Sequence, residues 1–86
     1  MTGAIILNED WSEYNRKKAA NNEDISLFNC GQEWEVQYLI DMLHKRFEFL
    51  LSDITLIKAV TATCEETGHP VSRERFVDDV MLKLIS

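Results

Sequence analysis

Between Gln32 and Leu51 the apolar residues Val36, Leu39, Ile40, Leu43, Phe47, Leu50 and Leu51 recur at intervals that keep them on one side of a helix. Trp34, Tyr38, Met42 and Phe49 widen that stripe beyond what one neighbouring helix covers. Asn29 followed by Gln32 has capping-box spacing, and Glu33 and Glu35 place negative charge at the positive end of the helix dipole. The pattern therefore predicts a strong central helix. A second helix is predicted from the N-cap signal at Ser52 and Asp53 through Ile54, Leu56, Ile57, Val60 and Cys64, with Gly68 ending it and Pro70 preventing its continuation. Threonines 55, 61 and 63 lower its helix propensity without disturbing the period. The third begins at Ser72 as N-cap, with Val71 and Phe76 as a hydrophobic staple and Phe76, Val77, Val80, Met81 and Leu84 as its stripe.

The N-terminal third carries a thinner pattern. Asn8 to Asn22 reads as a short helix, with Asp10 as N-cap, Glu13 in capping-box relation, and Trp11 and Tyr14 as the apolar pair. Beyond Tyr14, the run Asn15, Arg16, Lys17, Lys18, Ala19, Ala20, Asn21, Asn22 offers little to bury. Ile25, Leu27 and Phe28 form a brief apolar patch expected to tuck under the main helices, and Asn29, Cys30 and Gly31 read as a break. The expected fold is all-α, a small bundle or orthogonal array of three strong helices with a weaker N-terminal helix. Residues 1–86 form one domain in this reading, in which 1–31 are a weakly ordered or docking segment and 32–86 the helical core.

Size supports one core, since 86 residues are too few for two ordinary domains. So short a chain also buries a small share of its surface, which raises the prospect of a partner. The hydrophobic fraction of 45% and charged fraction of 28% are those of a globular protein. The net charge of −6 is spread evenly: residues 1–31 hold three basic and five acidic side chains, the remainder six and ten. Such a field repels polyanions and argues against nucleic acid or an anionic membrane as partner. Ala4–Leu7 is an apolar run without a basic flank, so no signal peptide is read, and charged residues interrupt the longest apolar stretch. Two cysteines are too few for a disulfide framework; Cys30 reads as a loop thiol and Cys64 as an ordinary buried one, which places the chain in the cytoplasm.

Chemistry is sparsely signalled. Neither cysteine nor histidine occurs in the close ligand pairs of a zinc site, although Cys64 precedes His69 by five residues. Glycines 3, 31 and 68 are isolated and build no phosphate loop. Glu65 with Glu66, and Asp78 with Asp79, are adjacent in sequence and so diverge around a helix, unlike the converging carboxylates of acid–base catalysis. No catalytic residues, metal ligands, cofactor or small-molecule substrate are expected, and the chain is not read as an enzyme.

What stands out is the aromatic side of the central helix. Trp34, Tyr38 and Phe49 are candidate anchors for a protein partner or a second copy, a homodimer being one form of this, unless the N-terminal segment covers them. The alternative is a helix-turn-helix nucleic-acid regulator, with Arg73 and Arg75 at the start of the last helix as its contacts. Glu74, Asp78 and Asp79 crowd that helix, so the two arginines are expected instead as solvated residues. A third reading, an acidic decoy of a nucleic-acid-binding protein, requires Asp41, Glu48, Asp78 and Asp79 to share one stripe.

Overall fold

The computed structural model describes residues 4–47, 50–67 and 70–85 and is mostly helical. A single turn, α1 (Ala4–Leu7), precedes four longer helices: α2 (Ser12–Ala20), α3 (Glu33–Phe47), α4 (Asp53–Thr67) and α5 (Arg73–Ile85). Two short strands complete the chain, β1 (Leu27–Phe28) before α3 and β2 (Val71–Ser72) before α5. They pair antiparallel, Leu27 opposite Ser72 and Phe28 opposite Val71. The all-α expectation broadly holds, but this ribbon makes the fold not purely helical. Two-residue strands are too short to show an alternating period, and Val71 and Ser72 also serve as the staple and cap of α5.

The starts of α4 and α5 follow their cap residues. Ser52 Oγ accepts the N–H of Thr55 at 3.2 Å, and Ser72 Oγ accepts that of Arg75 at 3.3 Å. The other two starts shift. Asp10 accepts the backbone N–H and the hydroxyl of Ser12, so Trp11 takes the N-cap position and Glu13 turns to Arg16. Asn29 closes a local turn by accepting the N–H of Gly31, and α3 begins at Glu33 with Gln32 O as its first acceptor. α3 also ends before Leu51: the N–H groups of Leu50 and Leu51 both return to Phe47 O. Leu50 is consequently 77% exposed instead of continuing the buried stripe. The predicted end of α4 at Gly68 lies outside the described residues.

α2 ends in a Schellman arrangement. Asn22 adopts φ 58°, its N–H bonds Ala19 O, and the Glu23 N–H bonds Lys18 O. Asparagine tolerates this left-handed conformation better than most side chains, and the reversal brings Glu23 back to within 3.8 Å of Lys18.

One core joins all these elements. Ile6, Trp11 and Tyr14 from the N-terminal segment are buried with Phe28, Leu39, Leu43, Leu56, Val60, Phe76, Val77 and Val80. Phe28 stacks on Phe76 with ring centres 4.3 Å apart, so β1 is anchored to α5. Of the patch expected to tuck inward, only Phe28 is fully buried; Leu27 is half-buried and Ile25 is exposed. Thr63 is buried because its hydroxyl donates to Ala59 O one turn back.

Cys30 and Cys64 are joined by a disulfide, with Cα atoms 5.9 Å apart. The free-thiol reading is corrected: Cys30 just before α3 and Cys64 near the end of α4 meet where the α3–α4 hairpin closes on itself. A lone pair of cysteines separated by 34 residues gives no sequence signal of this meeting.

Candidate functional site

The most concentrated polar chemistry lies under β1, among residues that the sequence pattern marks as helix positions and does not connect as a site. Glu35 is fully buried on α3, and Lys18 and Tyr14, one turn apart on α2, reach it from the N-terminal segment. Lys18 Nζ lies 3.2 Å from both carboxylate oxygens and donates to Leu27 O at 2.8 Å. The Asn29 N–H donates to Glu35 Oε1 at 3.0 Å. The Tyr14 hydroxyl is 2.7 Å from Glu35 Oε1 and 2.8 Å from Leu27 O. It has one hydrogen; the carboxylate, as the charged acceptor, is its stronger partner, which leaves the carbonyl to Lys18. Burial, and then the hydrogen bond to Glu35, hold the Tyr14 phenol well above its usual pKa, so it stays neutral.

Among the described residues no buried side-chain polar atom lacks a partner, so this cluster is internally satisfied. A small depression of about 180 Å³ borders it, lined by Lys18, Glu23, Asp24, Leu27, Asn29 and Pro70. The ammonium is held by three oxygens and the carboxylate by three donors, so each polar atom of the pair has a partner within the cluster. Its evident chemistry is positional: it pins α2 and β1 onto α3.

The aromatic side of α3 faces this pinned segment. Tyr14 packs on Trp34 at 5.3 Å and on Tyr38 at 5.7 Å between ring centres, and Trp11 lies 5.7 Å from Tyr38. The Tyr38 hydroxyl donates to Asp10 O at 2.7 Å, and the Lys17 ammonium lies 5.2 Å from the centre of the Trp34 ring. Trp34 and Tyr38 are thus half-buried, with α2 as the occupant that sequence pattern left open. Phe49 lies outside the described residues.

Arg73 and Arg75 separate. The Arg73 guanidinium sits over the Trp11 ring at 4.7 Å and donates to Asn15 Oδ1 at 2.8 Å, while its backbone N–H bonds Ser26 O. It is built into the junction of α2 and α5 instead of standing in solvent. Arg75 is exposed and lies 4.0 Å from Asp79 on its own helix. The acidic residues also divide: Asp41 borders a groove with Glu9, Asp10, Tyr38, Met42 and Lys45, whereas Asp78 and Asp79 line another with Glu74, Arg75 and Leu82. Glu48 lies outside the described residues.

The exposed apolar surface is elsewhere than the aromatic anchors. Leu50, in the turn before α4, is 77% exposed, and Ile54 and Ile57, at 65% and 45%, follow one another three residues apart along the start of α4. Leu82 and Ile85 do the same at the end of α5, at 52% and 61%. Their positions are visible in sequence, but the stripe there does not tell which apolar residues lie outside it. Among the described residues no group of three or more metal-ligating side chains converges, and no helix is long and apolar enough to cross a membrane. Comparison with protein-family models, characterised proteins and solved structures finds no match to this chain.

Proposed function

We propose that this protein is a non-catalytic association module that binds a protein partner, or a second copy of itself, through the aliphatic side of α4. The observation that carries this reading is the exposure of Leu50, Ile54 and Ile57 at and just before the start of α4, on a chain that gathers most of its described large apolar side chains into one cluster and leaves Ile25, Leu82 and Ile85 as the other exposed ones. With Trp34 and Tyr38 engaged by α2, the interface shifts from the aromatic to the aliphatic surface.

The nucleic-acid reading has less support, because Arg73 is engaged with Trp11 and Asn15 and only Arg75 presents its charge to solvent. It predicts salt-sensitive duplex binding that Arg75→Ala weakens. The Cys30–Cys64 bond also moves the inferred setting from the cytoplasm to one oxidising enough to keep the bond closed.

The module reading is tested by comparing wild type with Ile54→Glu/Ile57→Glu, both changes falling on exposed positions, by sedimentation equilibrium and by capture from lysate. The wild type should either sediment above its 10.0 kDa chain mass or retain a partner that the double variant loses. A wild type that sediments as a monomer and retains nothing beyond what the variant retains refutes it.

A further inference from the structure

The disulfide and the buried carboxylate share one short turn. Leu27 supplies a carbonyl to Lys18, Asn29 supplies an N–H to Glu35, and Cys30 is tied to α4. The Gly31 N–H to Asn29 Oδ1 and Gln32 N–H to Asn29 O bonds are local, and the strand before the turn is held by β2 and by the Phe28–Phe76 stack, so Cys30 is what ties the turn itself to α4. Both cysteines are half-buried, within reach of a small reductant.

We propose that Cys30–Cys64 is a redox-responsive latch on the Glu35 cluster. When the bond is closed, the turn holds the Asn29 N–H against Glu35, beside the Leu27 carbonyl that the β1–β2 pairing keeps at Lys18. When it is opened, the turn moves away from α4, the carboxylate loses its backbone donor, and α2 eases off Trp34 and Tyr38. The chemistry requires a dithiol reductant. Its thiolate attacks one sulfur and breaks the S–S bond, and the released cysteine thiolate takes up a proton. The second thiol of the reductant then displaces the mixed disulfide. Two electrons and two protons pass to the protein, leaving two thiols and an oxidised, cyclic reductant.

Amide hydrogen exchange followed by NMR tests the latch, on oxidised protein, on protein in dithiothreitol, and on Cys30→Ser/Cys64→Ser. Loss of the cross-link over 34 residues favours opened states by up to several hundred-fold across the whole molecule. The latch adds a local effect: exchange at Asn29 should rise at least about tenfold more than at Leu43 and Val80, core positions away from the turn. Acrylamide quenching of tryptophan should rise with it, since Trp11 is only 5% exposed when α2 is in place, and reoxidation should reverse both changes. Equal acceleration at all three amides, including complete unfolding on reduction, would show a general staple and overturn the latch. So would an Asn29 amide indifferent to redox state.

Discussion

Replacing Lys18 by methionine removes a buried ammonium while keeping most of the volume of its stem. Glu35 retains Tyr14 and Asn29 as donors but is left as a fully buried carboxylate without its counter-charge. Breaking one side of a buried pair in this way costs about 3–5 kcal/mol. Against a total stability of roughly 4–13 kcal/mol for a chain this long, that is a large fraction. Glu35→Gln keeps an acceptor for Tyr14 and Asn29 yet strands the ammonium, for a cost of about 3 kcal/mol. The double variant removes both charges and should cost less than the sum of the singles by at least about 2 kcal/mol. Urea unfolding of the oxidised protein, followed by far-UV circular dichroism, supplies the four values of the cycle. Additivity to within about 0.5 kcal/mol, or single variants that each cost under about 1 kcal/mol, would refute the cluster as the clamp on α2.

Two further outcomes follow from the loops flanking this cluster. Asn22→Val should destabilise by about 1–2 kcal/mol because a β-branched residue resists φ 58°, whereas Asn22→Gly should be neutral or slightly stabilising; thermal unfolding separates them. Asp10 and Asp24 each accept the hydroxyl and then the backbone N–H of the serine two residues on, which holds both carboxyls below their ordinary value of 3.8. Folded values below the unfolded ones mean the stabilisation is present above pH 3.8 and lost as the pH falls through the folded values. An Asp10→Ala/Asp24→Ala variant should therefore melt below wild type at neutral pH and converge with it on acidification; a constant gap in Tm down to the acid limb would contradict this.

Sequence pattern located the helices where period and caps coincide. Ser52 and Ser72 mark the starts of α4 and α5 because a short hydroxyl side chain there accepts an N–H of the first turn. The same logic misplaced Asp10 and Asn29, which can close turns of their own just ahead of a helix. Lys18 escaped notice for a different reason. A lysine among polar neighbours reads as solvated, and its burial depends on Glu35 and Leu27, which neither adjacency nor period connects to it. Arg73 is similar: its partners Trp11 and Asn15 come from the opposite end of the chain. The β1–β2 ribbon and the disulfide are likewise meetings between distant segments.

The β1–β2 ribbon also sets an order of events during synthesis. Phe28 leaves the ribosome well before its stacking partner Phe76 and its strand partner Val71. The helical turn α1 likewise packs on α5, the final helix. The α3–α4 hairpin can form from neighbouring sequence while the chain is still growing, since its contacts are local. The N-terminal segment is completed in two steps: Tyr14 and Lys18 find Glu35, Trp34 and Tyr38 on α3, whereas Trp11 and Phe28 gain Arg73 and Phe76 only when α5 is present. The ribbon thus ties a segment made early to one made some forty residues later, and Phe28 has no cover until Phe76 is available.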